Sequence, residues 1–543
     1  MGAAITRGSW LGVSMIRCMN RTHRTDAALE LTGDNLALAD AARILNGQVE
    51  QLHLASTARR RVEQARRCLH DLLAQGATLY GVNTGFGKLA SQRIEPHEVL
   101  ALQENLLRSH AVGMGTLLPI GVSRLALALR IQALAKGHSG VTMELIEQLI
   151  EMYNRGVVPA IPEQGSVGAS GDLAPLAHLA LVVMGEGHAF IVRPSSRNEG
   201  RKPMSGRAAL RRVHLKPYRL QAKEGLSLIN GTQISTAILA DALVRAHHLA
   251  RIADIAGAMT VEATKSSQRP FDPRIQAIRP HPGQAACAAN LRRLLTESAI
   301  NESHAHCSKV QDAYSMRCMP QVHGCLRDAL SHLTTIIERE MNAATDNPLV
   351  FPDTGEVISG GNFHAQPIAL AADLLCAAIT DLGSISERRV ENLVNPDLSG
   401  LPGFLTPHAG LNSGMMLVQV LAAALVSENK SLSFPASVDS IPTSANREDH
   451  VSMSTAAARK CRQAVTNIGR VLACELLCGS QGLEFHSGLR PGRGVEAAYR
   501  HVREHVRPLG RDRTLHRDLE AVERLIRSGS LLMAVEGVCG KLE

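Results

Sequence analysis

Aromatic residues are scarce in this sequence of 543 residues: one Trp, five Tyr and eight Phe. Core area must therefore come from Leu, Ile, Val, Met and Ala, which favours helix packed on helix over a β-sandwich. No apolar stretch approaches the ~20 residues that cross a bilayer. The longest, around Met415–Val426 and Ile368–Ile379, are broken by Gln419 and Asp373, so no membrane association is expected. The 11 cysteines are odd in number and form no CxxC pair. They read as reduced thiols in a cytoplasmic, reducing compartment and not as a disulfide framework. His304, His306 and Cys307 lie close together, but no second ligand cluster stands at metal spacing, and no metal is expected. The first 25 residues carry Arg7, Arg17, Arg21 and Arg24 and no acid. They weakly resemble a transit peptide and lack the apolar run of a secretory signal. Met15 and Met19 are alternative starts, so residues 1–28 are set aside as an extension.

The net charge is +8, but basic residues are interspersed with acids and the densest run is only Arg59-Arg60-Arg61. A nucleic-acid binder concentrates such residues on one face, so no nucleic-acid partner is expected. The excess charge suits an anionic small substrate instead. Helical periodicity dominates: residues 96–110, 122–136, 142–154, 228–256, 325–344 and 450–478 read as helices. Residues 366–382 and 414–430 are apolar almost all round and are expected to be buried inside a bundle. Residues 494–530 read as exposed helix, 350–363 as a hairpin or loop, and 191–207 as an exposed loop. The predicted fold is mainly all-α: one elongated helical bundle with a loop-rich N-terminal part. Residues 29–225 form an N-terminal region with two Gly-rich loops, 226–480 a long-helix bundle, and 481–543 a C-terminal helical region.

The most informative segment is Gly165-Ser166-Val167-Gly168-Ala169-Ser170-Gly171-Asp172-Leu173-Ala174-Pro175. Its plainest reading is a turn followed by a helix capped by Asp172, with Pro175 in the tolerant first turn. A phosphate cradle is disfavoured, because neither GxGxxG nor GxxxxGK[ST] is present. A third reading is covalent. The Gly171 nitrogen, with no Cβ beside it, attacks the Ala169 carbonyl and closes a five-membered ring. Loss of water from Ser170 then leaves an electrophilic methylidene.

This run, from Ile161 to Pro175, closely resembles the active-site signature of the aromatic amino acid ammonia-lyases. The resemblance covers residues 29–535 and implies a fumarase/aspartase-like helical architecture. It implies a 4-methylidene-imidazol-5-one (MIO) group built from Ala169, Ser170 and Gly171, with no dissociable cofactor. Tyr80-Gly81-Val82-Asn83-Thr84-Gly85-Phe86-Gly87 looks like the family's mobile loop, and a Tyr beside glycines suits a lid. The resemblance makes Tyr80, Tyr314 or Glu448 the base. It gives Asn230 and Gln311 hydrogen bonds around the MIO group, Arg317 the substrate carboxylate, and Phe363 an aromatic wall. Taken singly, Asn230 reads as a helix cap, Arg317 as an ion-pair residue, Phe363 as core and His110 as a bonded core histidine.

His110 together with Glu448, in Ser444-Ala445-Asn446-Arg447-Glu448-Asp449-His450, resembles the histidine-specific branch of the family. A buried imidazole has two nitrogens to satisfy, which a carboxylate and a histidine do. The implied activity is conversion of L-histidine to trans-urocanate and ammonium, the first step of histidine degradation, by a homotetramer with shared active sites. The alternatives are a tyrosine or phenylalanine ammonia-lyase or 2,3-aminomutase and, more distantly, an inactive helical scaffold. Arg447 stands where Gln is usual, within pairing range of Glu448, and Ala313 where Pro is common.

Overall fold

The computed structural model describes residues 27–192, 202–307 and 309–543. Nearly all of the 1–28 extension and the middle of the 191–207 loop lie outside the described residues. The framework is five helices: α1 (Gln233–Ala263), α2 (Met319–Met341), α3 (Gln366–Val394), α4 (Met416–Leu432) and α5 (Ser454–Leu483). Their cores are Ala-, Leu- and Ile-rich, and α2 and α3 each place a proline in the first turn, where no backbone donor is lost. Buried side chains from the whole bundle and from the helices at 120–135, 143–154 and 173–183 merge into one apolar core.

Cross-helix bonds fix the directions. Arg245 bonds Thr466, and Thr260 bonds Glu475, so α1 and α5 run parallel. Arg389 of α3 also meets Glu475, with all three of these helices pointing the same way. Asp254 meets His323 and Thr232 meets Glu340, so α2 runs antiparallel to α1. Strands are few and short. Gln51–Leu54 pairs parallel with Ala28–Leu31, and Leu349–Phe351 forms the expected hairpin with Glu356–Ile358.

The fold confirms a mainly helical bundle and corrects three details. The long helix expected over 228–256 begins at Gln233, after a short separate helix, Glu224–Ile229. Residues 494–530 are not one helix: Arg493–Arg503 and His516–Ser528 are separate, and both carry buried apolar residues. The apolar helices are not fully enclosed by their own chain. Leu370 and Leu374 of α3, and Leu417, Val420 and Leu421 of α4, are exposed. α3 is also, at 29 residues, long and apolar enough to cross a membrane by length and composition alone. Its buried Asp373, which accepts from Ser437 N at 2.7 Å, and its packing on α1, α2, α4 and α5 are those of a core helix.

Candidate active site

The 166–172 loop ends in a buried carboxylate that organises the site. Asp172 occupies the position just before helix Leu173–Val183, yet its side chain does not cap that helix. Asp172 Oδ2 accepts from Ile234 N at 2.9 Å, Ser235 N at 2.8 Å and Ser235 Oγ at 3.0 Å, and Oδ1 from Thr455 Oγ1 at 2.8 Å. It thus satisfies the first turn of α1 and ties the loop to the start of α5. Burial pushes its pKa up, opposed by these hydrogen bonds. The sequence reading of Asp172 as a local cap is therefore corrected: the donors it serves belong to a helix some sixty residues on.

Gly171 and Gly231 approach so closely that a Cβ on Gly171, at φ +75°, would lie 2.2 Å from the Gly231 carbonyl oxygen. No other residue fits there. Asn230 Nδ2 donates to Ser170 O at 3.3 Å, while Asn230 Oδ1 is buried without a partner. Asn230 closes the short helix before α1, but its side chain is spent on the loop. Ala169 is buried with Val451 and Met453, and Ser452 Oγ donates to Gly168 O at 3.0 Å.

The segment before α5 brings Glu448 to this loop. Ser170 Oγ donates to Glu448 Oε1 at 2.8 Å, and Thr443 Oγ1 to Glu448 Oε2 at 2.5 Å. Arg447 is exposed, and both oxygens of Glu448 are occupied by these hydroxyls, not by Arg447. His110 ends the helix Val99–His110. Its Nδ1 bonds Leu106 O at 2.8 Å. A carbonyl only accepts, so Nδ1 carries the hydrogen and the neutral ring offers Nε2 as acceptor. Burial lowers the His110 pKa, with Glu448 opposing the shift. The two residues therefore lie within electrostatic reach of one another.

Tyr80 is half-buried, and its hydroxyl accepts from Gly87 N at 3.2 Å. A Cβ on Gly87 would meet Ser444 Oγ at 2.5 Å, so the Tyr80 loop abuts the loop that carries Glu448. Half-buried Phe363 lies beside His364, whose Nε2 meets His450 O at 3.1 Å, with the two imidazoles stacked. Phe363 is thus held at the same end of the bundle, outside the apolar core.

Gln311, Tyr314 and Arg317 form a second group. Arg317 Nη2 donates to Gln311 Oε1 at 3.0 Å, and its guanidinium lies 4.6 Å from the centre of the Tyr314 ring. Arg317 makes no ion pair among the described residues, and Tyr314 is 70% exposed. This group sits at the other end of the bundle: Ser315 O accepts from Arg389, which pairs with Glu475. Glu475 lies twenty residues along α5 from Thr455, about 30 Å at 1.5 Å per residue. One chain therefore brings together Tyr80, His110, Ser170, Asn230, Phe363 and Glu448. It does not bring Gln311, Tyr314 or Arg317 to them.

Sequence reasoning did not single out Thr443, which orients Glu448, or Ser452 and Thr455, which clamp the loop. No periodicity marks them, because their partners are far away in sequence. Asp172 did carry a signal, standing directly after the Ala-Ser-Gly run. A buried trio, Asp254, Cys287 and His323, also has metal-ligand character, but Arg327 donates to Asp254 and Arg389 to His323, making it an ion-pair network.

The aromatic amino acid lyase family model matches residues 36–504. A histidine ammonia-lyase of Anaeromyxobacter sp. (strain K) is 54% identical over 505 residues, 93% of this chain and 99% of that protein. Among solved structures, a histidine ammonia-lyase from Trypanosoma cruzi superposes with a TM-score of 0.86 at 42% identity, covering 94% of this chain and 95% of that one. A tyrosine aminomutase from Streptomyces globisporus gives 0.87 at 34% identity, covering 94% and 99%. With a loop built around Ala169-Ser170-Gly171 and a match along almost its whole length, the chain belongs to the aromatic amino acid lyase family.

Proposed function

We propose that the protein is a histidine ammonia-lyase, releasing ammonium from L-histidine to give trans-urocanate. The observation that carries the choice of substrate is Glu448 bonded to Ser170 Oγ at 2.8 Å with His110 within its electrostatic reach. Both are acceptors, the carboxylate and His110 Nε2, matched by the N–H of an imidazole and, when it is protonated, by its second N–H. A phenyl ring would leave both unmatched and a phenol, with its single O–H, would leave one, at a cost of about 1–3 kcal/mol per stranded group. The aminomutase likeness is one of fold, and these two residues argue against a phenyl or phenol side chain on the substrate.

The loop fits an MIO group formed from Ala169, Ser170 and Gly171. Gly171 is unhindered and left-handed, Asn230 holds the Ser170 carbonyl, and the orphaned Asn230 Oδ1 leaves a buried polar atom for a reacting partner. When formed, the group supplies an electrophile that turns the substrate amine into a good leaving group. Tyr80 is the proposed base for the β-proton, held on a loop that closes over the site. Arg317 is suited to the substrate carboxylate by its bidentate fork, with Tyr314 and Gln311 beside it.

The 30 Å separation supports the homotetramer: Gln311, Tyr314 and Arg317 of one copy complete the Ser170 end of another. The exposed apolar residues of α3 and α4 supply a surface for that contact. Cytoplasmic location is part of this reading, supported by the cysteine pattern.

The test is parallel turnover of L-histidine, L-tyrosine and L-phenylalanine, with intact mass and a Ser170→Ala control. Urocanate from histidine alone, lost in the control, is expected; cinnamate or coumarate would overturn the substrate. Co-expression of Ser170→Ala with Arg317→Ala should restore part of the activity. Failure to do so, with mixed oligomers present, would overturn the shared site.

A further inference from the structure

Substrate binding does not account for the hydrogen bond between Glu448 and the Ser170 hydroxyl. Ser170 Oγ is the atom that must depart for the electrophile to form. Among the described residues Glu448 is the one side chain bonded to it, at 2.8 Å. The carboxylate is held for this contact from behind. Thr443 Oγ1 donates to its other oxygen, and the Thr443 and Glu448 backbones exchange hydrogen bonds of 3.0 and 3.3 Å. The turn between them places Ser444, Ala445 and Asn446 at φ +51°, +52° and +64°, three successive non-glycine residues in the left-handed region. Such a conformation persists where surrounding structure over-determines it, and it is concentrated at functional sites. Here it aims one carboxylate at one hydroxyl.

We propose that Glu448 is the proton-transfer group that carries the Ser170 hydroxyl out as water while the electrophile forms, before it ever meets substrate. The proposal rests on the reading that Ala169-Ser170-Gly171 cyclises. Ring closure forms the bond from Gly171 N to the Ala169 carbonyl carbon; that carbonyl oxygen leaves as the first water with the Gly171 and Ser170 amide hydrogens, and a double bond from the same carbon to Ser170 N replaces the C–O bond. In the second step the Ser170 Cα–H bond breaks, and its electron pair becomes the Cα–Cβ double bond. The Cβ–Oγ bond breaks, and the leaving hydroxyl takes a proton. The Glu448 carboxylate, which accepts from that hydroxyl at rest, takes up the proton released from Cα by way of solvent and delivers it through Oε1 to Oγ as the Cβ–Oγ bond breaks, which returns the carboxylate. The protons given and taken are equal, and no oxidant or other reactant enters. Departure of Oγ removes the partner of Oε1 and frees that oxygen for the substrate ring. One carboxylate thus serves in two successive duties, and the first must finish before the second begins.

The experiment follows intact mass during a chase after cell-free synthesis, with addition of cyanide to finished protein as a second readout, because a small nucleophile adds to a methylidene. The wild-type chain is expected to lose two waters and then take up cyanide. Glu448→Gln should retain the Ser170 hydroxyl, losing it about 100-fold more slowly, the low end of what a positioned acid–base group supplies. Thr443→Val, which keeps the carboxylate but frees it, should slow water loss to a smaller degree. His110→Gln should lose both waters at the wild-type rate while histidine KM rises, separating substrate contact from maturation. If Glu448→Gln misfolds by circular dichroism, Glu448→Asp and Thr443→Val carry the test. Wild-type rates of water loss in the folded Glu448 and Thr443 variants would overturn the proposal. A wild-type chain that loses no water would overturn the cyclisation reading on which it rests.

Discussion

Replacing Asp172 with Ala tests whether one buried carboxylate joins the loop to two helix starts. The substitution strands Ile234 N, Ser235 N and Thr455 Oγ1, all now bonded at 2.8–2.9 Å. Ser235 Oγ is spared, since it also reaches Thr232 O at 3.1 Å. Three stranded donors at about 1 kcal/mol each, the low end for buried groups, sum to about 3 kcal/mol. Loss of the negative charge at the N-terminus of α1 adds about 0.5–1 kcal/mol. Relief of the carboxylate's desolvation, which raises its pKa, offsets part of this. The net expectation is about 2–4 kcal/mol, concentrated where α1, α5 and the loop meet. Asp172→Asn should lose less, because its amide oxygen still accepts. The assay is hydrogen exchange by mass spectrometry on peptides covering 166–172, 232–238 and 452–458, beside the thermal midpoint. Faster exchange in all three segments, with the far ends of α1 and α5 unchanged, is expected. Wild-type protection in those segments in Asp172→Ala would refute the argument that this residue binds them together.

Gly171→Ala places a Cβ 2.2 Å from the Gly231 carbonyl oxygen at a positive φ, so it should yield little soluble protein, and what folds should retain the mass of both waters. His247 is half-buried beside Arg251 and Arg327, and desolvation above all lowers its pKa from 6.5 to about 4. The unfolded chain therefore binds a proton that the folded one refuses, and stability is lost as pH falls from 6.5 toward 4. The share of His247 is about 3 kcal/mol at 1.36 kcal/mol per pKa unit, so His247→Gln should show a smaller fall in thermal midpoint between pH 7 and pH 4.5. An equal fall in both proteins would refute the assignment. Leu417→Asp, on the exposed apolar face of α4, should convert the assembly to smaller species by light scattering and abolish turnover while leaving the helical content intact.

The sequence alone determined the class of fold. Few aromatics and long Ala/Leu/Ile-rich periodic runs allow little besides helices packed on helices. It also determined the loop chemistry, because Ala169, Ser170 and Gly171 are covalent neighbours whose reaction depends on adjacency. Tertiary structure decided everything that depends on distance through space. Asp172 reads as a local cap until α1 delivers its own unsatisfied N–H groups to it. Glu448 shows nothing of its partner in its local sequence until a left-handed turn sets it on a hydroxyl 278 residues earlier in the chain. The resemblance assigns Arg317 and Ser170 to one site, yet in a single chain they stand at opposite ends of helices that rise 1.5 Å per residue. Helical periodicity reports which face of a segment is apolar. It does not report whether that face meets its own chain or another, and for α3 and α4 the packing of the single chain leaves part of that face uncovered.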